Sequence, residues 1–246
     1  MKSCLASESD PLIRQVVSRD RVKIRQMFGN IAGTYDYLNR ILSFGLDASW
    51  RRRAARLSGI KPGNRVLDVC CGTADLALAF AKEMRQKGLV VATDFTPEML
   101  AIARDKTSES IINLGRADTL QLPFADNTFD VCSAGWGIRN VEDFRDGFLE
   151  MYRVLKPGGR AAILESTAPG GRLAGRLFNF YFTRIMPWLG NLLSRSPQKA
   201  YSYLCDSVCE FPDAAALKHI MEDVGYTKVD YQLKGFGAIA IHIGIK

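Results

Sequence analysis

Short apolar runs alternate with helical patterns along most of this chain. Val66-Leu67-Asp68-Val69 leads into a turn containing Gly72, and apolar positions at helical spacing begin near Asp75. A second run, Leu89-Val90-Val91-Ala92-Thr93, closes on Asp94. Thr96 then reads as an N-cap with Pro97 at the first helical position. The order repeats downstream. Residues 113–118 read as a third strand, 129–134 as a fourth and 143–154 as a helix, and 160–165 as a fifth strand after the Lys156-Pro157-Gly158-Gly159 turn. Residues 226–231 and 238–245 read as a closing strand pair. This pattern predicts an α/β fold: a Rossmann-like, doubly wound, seven-stranded, mostly parallel sheet with helices on both faces.

The candidate chemistry sits at the strand ends. Asp94 follows the Gly72 turn at about the 20-residue spacing of a nucleotide-binding βαβ unit, where an acid accepts from both ribose hydroxyls. A dinucleotide would call for two further glycines around its pyrophosphate. This turn offers one glycine, with Asp68 and Asp75 on either side, so the pocket is expected to be acidic and to suit an ammonium and a sulfonium better than phosphates. S-adenosyl-L-methionine fits. Asp118, closing the third strand, can accept from the adenine amino group. The plainer alternative is that these acids only cap a turn and a helix.

Composition narrows the setting. With 246 residues and 47% hydrophobic content the chain can bury one good core. It has no uninterrupted apolar run of about 18 residues and no secretory leader pattern, so a cytoplasmic protein is expected. The six cysteines show no CxxC pairing and only His219 and His242 could assist them, so no metal site is expected and the thiols should be reduced. The net charge of +7 is local: Arg51, Arg52, Arg53 and Arg56 follow Trp50, and Arg172, Arg176, Arg184 and Arg195 recur in an aromatic-rich stretch. Such patches suit RNA or an anionic membrane surface, or are solvated helix faces.

Three segments carry a family resemblance: Val66-Leu67-Asp68 through Asp75, Leu122-Pro123-Phe124-x-x-Asn127-x-Phe129-Asp130, and Arg153-Val154-Leu155-Lys156-Pro157-Gly158-Gly159. They resemble the class I S-adenosylmethionine-dependent methyltransferases. Narrower signals are Phe28-x-x-Ile31-Ala32-x-x-Tyr35-Asp36-x-x-Asn39 ending in Trp50-Arg51, then Gly137-Ile138-Arg139-Asn140-Val141, and Tyr201-x-Tyr203-Leu204-x-x-Ser207 with Phe211-Pro212. These resemble the ubiquinone/menaquinone biosynthesis C-methyltransferases from about Phe28 to the C-terminus. The resemblance implies C-methylation of a prenylated quinol, with demethylmenaquinol favoured over the ubiquinone precursor because of the Cys70-Cys71 turn. It implies a cofactor site of Asp68, Gly72, Thr73, Asp94, Asp118, Thr119 and Gly135. It also implies a helical substrate-side extension over 1–57 and a methyltransferase domain over 58–246 with a helical lid inserted at about 170–210.

Methyl transfer to a ring carbon requires that a quinol hydroxyl lose its proton and that the oxyanion be stabilised. Arg139 and Asn140, after the fourth strand, are the first candidates for the hydroxyl end, and the alternative is an Arg139 tethered to Asp118 or Glu142. Tyr35 and His242 are the remaining base candidates. The apolar, arginine-studded stretch 170–196 would suit a prenyl tail and docking at the inner face of the membrane, or a homodimer interface. Cys71 and Ala74 stand where family members often have glycine, and Ala74 is expected in a helix-start conformation that tolerates it. Competing readings are an RNA methyltransferase, a sterol- or polyketide-type small-molecule methyltransferase, and a non-catalytic cofactor-binding scaffold. No Asn-Pro-Pro-Tyr-like segment is present and no proline precedes Cys132, so no nucleic-acid substrate is expected.

Overall fold

The computed structural model describes residues 20–169, 180–185 and 200–246. Its sheet has seven strands: β1 (Arg65–Val69), β2 (Leu89–Asp94), β3 (Ile112–Arg116), β4 (Phe129–Gly135), β5 (Leu155–Ser166), β6 (Thr227–Lys234) and β7 (Ile239–Ile245). Their spatial order is β3-β2-β1-β4-β5-β7-β6, with β7 antiparallel to both neighbours and the other pairings parallel. The order reverses between β1 and β4, so a crevice opens at the carboxyl ends of these strands.

Burial on both faces follows from the period of two along each strand. Val66 points into a cluster with Ala77, Phe80 and Met84, while Leu67 and Val69 point into the opposite cluster with Phe129, Phe148 and Met151. Phe80 and Phe148 are fully buried, and each contributes about 1.5–3 kcal/mol relative to an exposed ring.

Helices α1 (Arg21–Leu42), α2 (Asp47–Leu57), α3 (Asp75–Glu83), α4 (Pro97–Thr107), α5 (Phe144–Val154), α6 (Ala200–Glu210) and α7 (Ala214–Val224) cover the sheet. Their starts are chemically marked. Asp20 accepts from the Val22 and Lys23 amides, Asp143 from those of Arg145 and Asp146, and Asp213 from that of Ala216. Thr96 occupies the N-cap of α4 with Pro97 following, but its side chain makes no cap bond; Asp94 accepts from its amide instead, at 2.7 Å. The α2 helix joins the main core through Ala54 and Ala55, whereas α1 packs Met27, Ile31, Leu38 and Leu42 against Cys205 and Val208 of α6. The Lys156–Gly159 segment is an irregularity within β5, where the register shifts between Phe129 and Val131 of its partner.

Two expectations are corrected. Ala74 lies at φ 67°, ψ 21°, in the left-handed region, not in a helix-start conformation, because the chain must turn sharply between β1 and α3. Left-handed backbone costs a non-glycine residue about 1–2 kcal/mol. The Ala74 methyl is fully buried in the core, and a buried methyl contributes about 0.8 kcal/mol while glycine loses about 0.5–1 kcal/mol more backbone entropy. Ala74→Gly should therefore shift stability by less than about 1 kcal/mol in urea denaturation, against the loss expected of emptying an unstrained core site. Second, Cys70, Cys71, Cys132 and Cys205 are free thiols, but Cys209 is disulfide-bonded.

Candidate active site

A cleft with roughly 1030 Å³ of free space, its open mouth included, lies at the switch point. Its wall gathers the residues of the expected cofactor set: Asp68 near the end of β1 with Gly72 and Thr73 after it, Asp94 closing β2, Asp118 and Thr119 after β3, and Gly135 at the end of β4. Asp94 is braced by its own backbone surroundings. Its two oxygens accept from the amides of Gly72 at 2.8 Å and Thr96 at 2.7 Å. Burial raises its pKa, and those amides work against the rise. Each oxygen keeps a lone pair for a ligand hydroxyl.

Asp68 is fully buried at the end of β1. Ser133 donates to its Oδ1 at 2.7 Å, while Oδ2 has no protein partner. Burial lifts its pKa to about 7, with the Ser133 hydroxyl opposing the rise. Gly72, at φ 54°, turns the chain past Asp68 with no side chain between backbone and cleft. Gly137 is constrained by proximity: a Cβ there would lie 2.3 Å from that of Cys70, so the loops after β1 and β4 touch.

The acid at the start of α3 is not free. Lys106 contacts Asp75 directly, Asp36 at 2.7 Å and Thr73 at 3.1 Å, and Arg51 reaches Asp75 at 3.4 Å while pairing with Asp47. Burial opposes ionisation of Asp47, but the Arg51 guanidinium overrides it and holds the carboxyl below its ordinary value. The pocket is thus less acidic than the sequence suggests, because Asp75 is neutralised from α2 and α4. Asp118 is likewise paired, with Arg21 at the start of α1.

Tyr35, Arg51, Trp136 and Asn140 also line the cleft, with Tyr35 4.0 Å from where a Gly72 Cβ would lie and Arg51 3.4 Å from Asp75. Arg51 is buried with its guanidinium 4.9 Å from the Trp136 ring centre. Burial raises the Tyr35 pKa, and its hydrogen bond with Asn39 and the positive fields of Arg139 and Arg51 oppose the rise. Asp36 acts in the same sense as burial, and both guanidiniums are already ion-paired, Arg51 with Asp47 and Asp75 and Arg139 with Glu165. Asn140 is fixed at both ends of its amide, its nitrogen donating to the Trp136 carbonyl and its oxygen accepting from the Tyr203 hydroxyl, each at 3.3 Å.

Two expected catalytic residues do not line the cleft. Arg139 is buried and pairs with Glu165 of β5, not with Asp118 or Glu142, and its Nε lies 3.4 Å from the Ser207 hydroxyl of α6. His242 is buried in β7, in register with Ile163 and Tyr231, and its Nε2 donates to the Ala214 carbonyl at 2.8 Å. Burial lowers its pKa, so it stays neutral in the packing beneath α7. Sequence reasoning also missed Arg51 and Lys106 as site residues. Arg51 carried a signal in the Trp50-Arg51 pair, whereas Lys106 had none.

The donor set fits S-adenosyl-L-methionine. It offers an orphaned buried carboxylate oxygen on Asp68, a glycine turn open to the cleft, and an acid at the end of β2 with lone pairs to spare. Among the described residues no three His, Cys, Asp or Glu side chains are grouped to hold a metal ion.

Sheet order and cleft together define the α/β methyltransferase class. A crystal structure from Thermotoga maritima described as an S-adenosylmethionine-dependent methyltransferase, a possible histamine N-methyltransferase, superposes with a TM-score of 0.63 over 91% of this chain and 99% of that one, at 18% identity. The chain belongs to the ubiE/COQ5 methyltransferase family, whose description matches residues 15–246. It is 44% identical over 228 residues to the ubiquinone/menaquinone biosynthesis C-methyltransferase UbiE of Geobacter sulfurreducens, covering 91% of this chain and 88% of that one. It is 38% identical over 227 residues to the demethylmenaquinone methyltransferase of Listeria welshimeri, covering 91% and 96%.

Proposed function

We propose that this protein methylates a ring carbon of a prenylated quinol in quinone biosynthesis, demethylmenaquinol before the ubiquinone precursor, with S-adenosyl-L-methionine as donor. The observation that carries this reading is a cleft that gathers the strand-end acids together with Tyr35, Trp136 and Arg51. S-adenosylmethionine supplies an electrophilic methyl group when bound. Asp94 holds the ribose, Asp118 and Thr119 the adenine, and Gly72, Thr73 and Gly135 the methionine portion, with the free oxygen of Asp68 on its ammonium.

At the acceptor end, Tyr35 and Asn140 orient the quinol hydroxyl. With its pKa raised, Tyr35 keeps its proton and acts as a hydrogen-bond donor. Arg51 and Arg139 favour the oxyanion through fields tempered by their own ion pairs, and Arg139 also positions the 138–140 turn through Glu165. The hydroxyl proton, then the ring proton displaced by the methyl group, leaves to water through the open mouth of the cleft. Helices α1 and α2 form the substrate side. The proposed lid over 170–210 lies largely outside the described residues. A prenylated substrate is reached from the bilayer surface, with the protein on its cytoplasmic face; among the described residues no helix is long and apolar enough to cross a membrane.

The test is transfer of labelled methyl groups to reduced demethylmenaquinone, the ubiquinone precursor, the oxidised quinone and bulk RNA. Label on the reduced quinone alone supports the reading; label on RNA, or none on either quinol, removes it. A pH dependence follows from Asp68. The ammonium binds the carboxylate form, so below pH 7 binding must first expel a proton from Asp68. Cofactor affinity measured by calorimetry should fall towards tenfold per pH unit as pH drops from about 7 to 5, below the titration of the ammonium itself. Asp68→Asn should bind more weakly and lose the slope.

A further inference from the structure

Three turns lie side by side at the carboxyl edge of the sheet: one between α1 and α2, one between β6 and β7, and Tyr181–Ile185. Their contacts fix this arrangement. The Tyr181 hydroxyl donates to the Leu42 carbonyl at 2.8 Å, and its ring centre lies 6.1 Å from that of Phe44. Ala238, after the β6–β7 turn, packs into the same cluster as Leu38 and Leu42. Within that turn, a Cβ on Gly235 would sit 3.2 Å from the Trp50 ring of α2.

The rim these turns form is apolar at its tips. Phe236 is 99% exposed and Phe44 80%, with Phe180, Leu46 and Leu233 also exposed. Phe44 and Phe236 both hold left-handed backbone, at φ 53° and 56°. Bulky aromatic residues rarely adopt that conformation, and glycine or asparagine would hold it with less strain. The Phe236 ring gains nothing from burial and that of Phe44 only its contact with Tyr181, so these positions combine local strain with little packing return inside the monomer.

Charge selects the occupant. Arg52 and Arg53 are exposed on α2, Arg53 bonded to Gln232 of β6, and Lys234 and Arg40 flank the two tips, Arg40 reaching Asp47 at 3.4 Å; Arg56, further along α2, pairs with Glu83. The carboxylates of these segments point elsewhere. Asp47 is buried against Arg51, and Asp230 lies six residues before Phe236, roughly 20 Å back along β6. Apolar tips inside a basic border match the headgroup and acyl boundary of an anionic bilayer.

We infer that this rim docks on an anionic phospholipid surface, with the Phe44 and Phe236 rings entering the acyl boundary and the α2 arginines against the headgroups. The inference rests on the prenylated-quinol reading for its purpose. It also deepens that reading, because the Trp50 ring beneath the rim lies 6.3 Å from Trp136, which lines the cleft. A quinol ring could thus enter the cleft while its tail stays in lipid.

The test uses the full chain and a Phe44→Asn/Phe236→Asn double variant, which removes both rings while suiting the left-handed backbone. Co-sedimentation is measured with phosphatidylcholine vesicles, with and without about one-third phosphatidylglycerol. The parent protein should bind the anionic vesicles, and the variant should bind them at least about tenfold more weakly with unchanged cofactor affinity. Turnover of a tailless, water-soluble quinol should be equal in the two proteins, while turnover of a long-tailed quinol in vesicles should fall about tenfold or more in the variant. The inference is overturned by a parent protein that ignores anionic vesicles, by a variant that binds them equally, or by a parent dimer that the variant loses, which would make the rim an interface between copies. No turnover of any quinol, with vesicle binding still lost in the variant, would instead sink the substrate reading and leave the docking surface standing.

Discussion

Arg139→Ala should destabilise the fold by about 3–5 kcal/mol, because it leaves the buried Glu165 carboxylate without its guanidinium. The expected result is a large fall in the urea midpoint with an unchanged slope, measured without cofactor or quinol. A residue used only in chemistry would leave that midpoint in place. The control is Arg139→Met with Glu165→Leu, which removes both charges. It should recover most of the lost stability, since a buried pair replaced by apolar groups of similar volume is often neutral. If turnover stays low in that refolded double variant, the field of Arg139 at Tyr35 matters to the reaction beyond holding the turn.

The second large effect belongs to Asp94. Asp94→Ala should weaken S-adenosylmethionine binding by at least about 100-fold, as two hydrogen bonds from ribose hydroxyls to a carboxylate are lost. It should also lower stability, because the Gly72 and Thr96 amides lose their acceptor. The Gly72 turn and the start of α4 are held by the same side chain proposed to meet the ribose. Calorimetry with the cofactor, beside denaturation without it, separates the two. Unchanged affinity with lowered stability would make Asp94 a brace only.

The strands, the helix starts and the strand-end acids were legible because each depends on neighbours in sequence. Period-two burial around Val66 and Leu67, Pro97 at the head of α4 and Asp143 at the head of α5 are local signals, and the structure places these elements within a residue or two. What could not be read depends on pairs distant in sequence. Lys106 meets Asp36 across 70 residues, and Arg139 meets Glu165 across 26 because β4 and β5 are adjacent. The acid-rich expectation for the pocket went too far for that reason: Asp75 was counted as free, and the fold brings two cations to it. Ala74 misled differently, since its left-handed backbone is imposed by the turn and the side chain gives no sign of it. His242 was a reasonable base by residue type, but an interior strand placed it among packed side chains.

Helix α1 carries a consequence for turnover. It runs 22 residues, about 33 Å, and lines the cleft from Arg21, which pairs with Asp118, to Tyr35, beside the Gly72 turn. A continuous helix that lines the cleft along most of its length couples movements at one end of it to the other. On the proposed function, exchange of spent cofactor and release of methylated quinol therefore share a mechanical element, and Gly29 and Gly33, midway along α1, are where that element bends most readily.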